Sequence, residues 1–152
     1  MTSETVAAEF GKSPEPAGAQ SAGTQPGAPT GSLRAWQRRA LTKYLSSSPR
    51  DFLAVATPGA GKTTFALRVA SELLRDRTVD QITVVAPTEH LKHQWAESAQ
   101  RSGLALDSRF SNSTGQTSSD YHGVVLTYAQ VASHPSKHRV RTEGRKTLVI
   151  LD

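Results

Sequence analysis

Residues 56–64 read Ala-Thr-Pro-Gly-Ala-Gly-Lys-Thr-Thr. These are the residue types a phosphate site needs, in an order that suits it. Glycines let a chain curl until successive backbone N–H groups face one anion. A helix that starts directly afterwards adds unpaired N–H donors and a partial positive charge. Lys62 offers a cation that reaches the β- and γ-phosphates of a nucleotide, and the Thr63 hydroxyl offers an oxygen ligand for Mg2+. Thr57, Pro58, Gly59, Ala60, Gly61, Lys62, Thr63 and Thr64 are the candidate nucleotide-binding residues. A second chemical group stands at residue 152, where the apolar run Leu148-Val149-Ile150-Leu151 delivers the Asp152 carboxylate. His90 and His93 share a helix, but no third ligand is placed to complete a zinc site, so they read as a solvated face.

The elements that would position these groups follow from apolar patterning. Leu33 to Leu45 carries Leu33, Trp36, Ala40, Leu41, Tyr44 and Leu45 on one stripe and predicts a helix, stopped by Ser46-Ser47-Ser48-Pro49. Phe52–Ala56 predicts a buried strand, Thr57–Gly61 a turn, and Lys62 to about Asp76 a helix. Ile82–Ala86 is a second strand. Thr88 is placed to cap a helix lined by Leu91, Trp95 and Ala99 and closed by Gly103. Leu104–Phe110 alternates weakly, as an edge strand would; 111–122 reads as a polar loop. Val124–Leu126 is a strand, Ala129–Ser133 a short helix, Lys137–Lys146 a basic connection, and Leu148–Leu151 a final strand. Strands alternate with helices and are apolar on both faces. The fold class expected is α/β, a parallel sheet with helices on both faces.

The chain has 152 residues, a prior of about one domain. Residues 11–32 hold five Gly and four Pro, a composition that cannot bury enough apolar surface to order itself. Residues 1–32 are accordingly expected to be a flexible tail and 33–152 the domain. A covered strand belongs inside a sheet, so the Asp152 end reads as the interior of a longer protein. The sequence has no cysteine, which excludes disulfide scaffolds and cysteine-held zinc. It has no apolar run near 18 residues and no secretory leader, so a cytoplasmic protein without a membrane segment is expected. Net charge is +5; outside the tail, 17 basic and 10 acidic residues leave +7, which favours a polyanionic partner.

The glycine loop has Ala56 where the general phosphate-loop pattern has its first Gly, and so fits the narrower form Ala-x-x-Gly-x-Gly-Lys-Thr. In this it resembles motif I of the superfamily 2 helicases and translocases. Four other segments fall in that family's order: Leu33-Arg34-Ala35-Trp36-Gln37, Pro87-Thr88-Glu89-His90-Leu91-Lys92-His93-Gln94-Trp95, Thr127-Tyr128, and Leu148 to Asp152. The resemblance covers Leu33 to Asp152 and implies a RecA-like lobe that binds ATP with Mg2+. It implies that Gln37 reads the adenine edge, to which a carboxamide offers both a donor and an acceptor. Pro87, Thr88, Thr127 and Tyr128 would hold the sugar-phosphate backbone of a nucleic acid, DNA or RNA, with DNA favoured over RNA. Lys62 and Asp152 would serve catalysis, with Thr63 and Asp152 on the metal. Leu91 and Trp95 are expected to be core. The family's next residue is a Glu that activates the attacking water, and a second lobe supplies arginines. A later strand, carrying motif III, would lie between 52–56 and 148–151.

The function expected is therefore that of an ATP-dependent helicase or translocase, represented by the N-terminal part of its ATP-binding domain. A P-loop kinase of a small molecule would explain the loop but not Gln37, Pro87-Thr88 or Thr127-Tyr128. A nucleotide- or nucleic-acid-binding module without turnover would require the position after Asp152 to lack an acid.

Overall fold

The computed structural model describes residues 5–9, 32–115 and 117–152. The elements run β1 (Thr5–Glu9), α1 (Ala35–Ser47), β2 (Asp51–Val55), α2 (Lys62–Arg75), β3 (Gln81–Ala86) and α3 (Glu89–Arg101). They continue with β4 (Leu106–Asp107), β5 (Gly123–Thr127), α4 (Tyr128–Ser133), α5 (Pro135–Glu143) and β6 (Thr147–Leu151). Where the length suggested one core, the chain divides into two units, 1–65 and 66–152.

In the second unit a four-stranded parallel sheet has the order β4-β5-β3-β6. Every residue of β3 and of β5 is buried, as expected of strands covered on both faces. Side chains alternate across a strand, so Val125 faces one way and Val124 and Leu126 the other. On the Val125 face, Ile82, Val84 and Ala86 pack with Leu67 and Ala70 of α2 and with Trp95 and Ala99 of α3. On the opposite face Val124 and Leu126 pack with Phe110 and with Val131 of α4. Full burial of each Val, Leu or Ile contributes about 1.5–3 kcal/mol, so this sandwich is the main source of the unit's stability. The α/β class with helices on both faces is as expected.

In the first unit β2 pairs in parallel with β1, a partner strand that the sequence reading does not include. Thr5–Glu9 lies upstream of the Gly/Pro-rich stretch, inside the expected tail; residues 10–31 lie outside the described residues. Behind β2 an aromatic row links Tyr44, Phe52, Phe65 and Trp36, with ring centroids 5.3, 6.1 and 5.6 Å apart along it.

Three sequence expectations are corrected. The strand at 52–56, expected to be buried, has Leu53 and Val55 exposed. The basic connection Lys137–Lys146 is largely helix α5, which starts with Pro135 in its first turn, where a missing N–H costs nothing. It shows no apolar stripe because its inward residues are His138 and Arg141. His138 is buried with its Nε2 at 2.9 Å from Asn112 Oδ1, and desolvation pushes the imidazole pKa below its usual value. The Arg141 guanidinium lies over the Phe110 ring at 4.8 Å. The edge strand expected over Leu104–Phe110 shrinks to Leu106–Asp107, because Arg109 N turns back onto the Asp107 carboxylate at 2.8 Å.

Candidate nucleotide and nucleic-acid sites

In the first unit the glycine loop is held from one side by the start of α1. Arg34 Nη1 donates to Gly59 O at 3.3 Å, Trp36 Nε1 to Ala60 O at 3.0 Å and Gln37 Nε2 to Gly61 O at 2.8 Å. Three successive carbonyls are thereby drawn toward α1. In a trans peptide the N–H points opposite to the C=O, so the amides of Gly61 and Lys62 are aimed away from α1. Gly59 and Gly61 adopt φ of 74° and 91°, which L side chains rarely adopt. A Cβ on Gly61 would also lie 2.7 Å from Gln37 Nε2, so the loop needs glycine there. Phe65 N donates to Gly61 O at 3.0 Å; the amides of Lys62, Thr63 and Thr64 stand ahead of the helical ladder. Lys62 is exposed, its ammonium on Ala56 O at 3.0 Å.

Gln37 is buried, and its Oε1 accepts from Arg34 N at 2.7 Å as the helix cap. Each end of the carboxamide keeps one further donor or acceptor. Sequence reasoning treats Trp36 as one apolar residue of a stripe. The missed signal is that a buried indole N–H needs an acceptor, here the loop itself.

In the second unit, three strand ends stand side by side at the carboxyl edge of the sheet. The register pairs Ala86 with Thr127 and Val85 with Leu151, so Pro87-Thr88, Thr127-Tyr128 and Asp152 adjoin. This is the edge at which open α/β sheets bind ligands. Thr88 is exposed and caps α3, its Oγ1 accepting from Leu91 N at 3.2 Å. Thr127 is buried and caps α4, its Oγ1 accepting from Gln130 N at 3.1 Å and keeping its own O–H. Tyr128 is exposed and its hydroxyl donates to Asp152 O at 3.1 Å. Trp95 is core, as expected, and does more: its Nε1 donates to Asp152 Oδ2 at 2.9 Å, fixing the carboxylate. His90 and His93 are exposed, and the described residues contain no metal-binding cluster of three or more His, Cys, Asp or Glu.

Residues 30–152 match the model of the family described as "Type III restriction enzyme, res subunit". The chain belongs to this family. The family is helicase-like, its members being ATP-dependent enzymes of nucleic acid, and the matched region is its N-terminal lobe. Two uncharacterized proteins of Mycobacterium tuberculosis, from strains CDC 1551 and H37Rv, are each 70% identical over 120 residues. An uncharacterized protein of Mycobacterium leprae is 69% identical over the same length. Each match covers 79% of this chain and 20% of the relative, so the chain spans about a fifth of the curated relatives' length. No solved structure matches the chain significantly. No helix among the described residues is long and apolar enough to cross a membrane.

Proposed function

We propose that this chain binds ATP for a motor that couples hydrolysis to movement along nucleic acid, with DNA the preferred polymer. The observation that carries the reading is the row of α1 donors on the carbonyls of Gly59, Ala60 and Gly61, which turns the Gly61 and Lys62 amides away from α1. Phosphates seated there would meet the amides at the start of α2 and the Lys62 ammonium. For Mg2+, the first unit offers the Thr63 hydroxyl; the second offers the Asp152 carboxylate, whose Oδ1 Trp95 leaves open; both are the hard oxygen donors this ion takes. The chemistry Mg2+ would supply there is neutralisation of the charge that develops on the phosphates. Gln37 presents its spare donor and acceptor to the adenine edge. Pro87, Thr88, Thr127 and Tyr128 meet the sugar-phosphate backbone at the carboxyl edge of the sheet.

The nucleic-acid arm is tested by salt. Contacts to backbone rather than bases make binding sequence-tolerant and salt-sensitive. Titrating the full-length protein with single-stranded oligonucleotides of unrelated sequence should give similar affinities. Log K should fall against log salt with a slope of roughly −0.7 per phosphate neutralised. Salt-independent binding, or strong preference for one sequence, contradicts the reading.

The nucleotide arm is tested at Gln37. Gln37→Ala removes the clamp on Gly61 O for every nucleotide and the base contact for adenine alone. The total loss for ATP should be roughly 1–3 kcal/mol, and that for GTP smaller. Equal losses for the two nucleotides would assign Gln37 to the clamp and remove its role in base choice.

A further inference from the structure

Lys92 lies inside the second unit although lysine is seldom buried. It is only 3% exposed, one turn into α3, with its amide on Thr88 O at 3.0 Å. A buried ammonium is costly unless oxygen acceptors surround it. Here they come from three segments. Nζ lies 3.2 Å from Gln130 Oε1 on α4, 3.4 Å from Phe110 O in the loop after β4, and 3.5 Å from Glu89 Oε2 on α3 itself. Gln130 closes the figure, its Nε2 donating to Phe110 O at 3.2 Å and its Oε1 accepting Thr127 N at 2.9 Å. Asn112 Nδ2 adds a further tie, to Gln130 O at 2.9 Å.

We propose that Lys92 is a positioning residue that sets the spacing between Thr88 and Thr127, the capping residues of α3 and α4. The inference rests on the reading that these two residues hold a nucleic-acid backbone. With its ammonium held by Gln130, Phe110 and Glu89, Lys92 touches no phosphate; it acts by locking Gln130, whose carboxamide Oε1 accepts from Thr127 N and whose backbone N–H donates to Thr127 Oγ1. Two phosphates a fixed distance apart on one strand demand two anchors a fixed distance apart. A tie of this kind determines affinity without contributing charge at the surface.

The chemistry gives a clean test because Lys92→Met leaves no acceptor bare. Gln130 Oε1 keeps Thr127 N, and Phe110 O keeps Gln130 Nε2. Glu89, the remaining member of the ion pair, has a side chain 64% exposed, so removing Lys92 strands no buried charge. In the full-length protein, Lys92→Met should melt close to wild type and keep the basal ATPase rate. The single-stranded oligonucleotide concentration for half-maximal stimulation should rise about tenfold, the size of one lost charge-assisted hydrogen bond. The slope of log K against log salt should not change. Hydrogen exchange should quicken at the Thr127 and Gln130 amides. Lys92→Gln, which ends one bond short of the ammonium, should cost about threefold and decides the matter should the methionine variant not fold. Unchanged affinity in the variant that folds overturns the proposal. A slope shallower by about 0.7 overturns it too, since that marks a direct phosphate contact. Failure of the wild-type protein to bind any oligonucleotide is a separate outcome: it overturns the nucleic-acid reading itself and the proposal with it.

Discussion

Lys62→Ala should abolish ATP turnover in the full-length protein while its fold survives. The two halves of this expectation come from different observations. Lys62 is exposed and opens α2, and its bond is to the nearby Ala56 carbonyl. No acidic partner is stranded by its removal, and alanine is the best helix former for the vacated position. Stability should change by no more than about 0.5 kcal/mol, as for other surface substitutions. Turnover is another matter. The glycine loop supplies amide dipoles, but Lys62 is the loop's one side-chain cation. The charge it would meet grows on the transferring phosphoryl, where one preorganised donor is worth roughly 10²–10³ in rate. Lys62→Arg should not rescue, because a planar fork differs in shape and reach from a compact ammonium. Steady-state phosphate release with a parallel thermal melt checks both halves. Wild-type-like turnover in Lys62→Ala removes the assignment of the loop.

The features legible in the sequence were those written in apolar runs. β3 and β5 are buried throughout, so Ile82–Ala86 and Val124–Leu126 appear as unbroken hydrophobic stretches flanked by breaks. The strand–glycine loop–helix order of 52–75 needs no tertiary contact to be read. The features that were not legible are polar residues facing inward. Lys92 shares a helix face with Trp95 and Ala99 at spacings of three and four, yet a lysine counts as solvent-facing in any periodicity argument. Helix α5 packs through His138 and Arg141, so its basic sequence resembles a connection. Trp36 reads as one more apolar residue, though its indole N–H is what engages Ala60. The partnership of Trp95 with Asp152 spans 57 positions and leaves no local pattern. In each case the missing information is a hydrogen-bond partner brought close only by the fold.

The 152 residues expressed alone should neither turn over ATP nor remain dispersed, whereas a chain continued through the second lobe should do both. Exposed strand faces and edges favour self-association. β6 is the last strand of its sheet, and its Val149 and Leu151 are 45% and 67% exposed. On β2, Leu53 and Val55 are 53% and 42% exposed. Aliphatic side chains in a strand belong under a layer, and an open apolar edge templates pairing with another chain. The family resemblance implies a later strand in the lobe, which would cover exposed strand surface of this kind. Turnover needs groups that the resemblance places after Asp152: the Glu that activates water, and arginines from the second lobe. An arginine supplied to a phosphoryl-transfer site is worth about 10³–10⁵ in rate. Trp95 can orient Asp152 and Lys62 can draw in phosphate, but neither supplies a base or that second charge. Size-exclusion chromatography should show the 152-residue chain eluting in mixed, concentration-dependent oligomers, and phosphate release should stay at background. Extension through the second lobe should restore a single dispersed species and measurable turnover together. A monomeric 152-residue chain that melts cooperatively and hydrolyses ATP steadily would refute both halves.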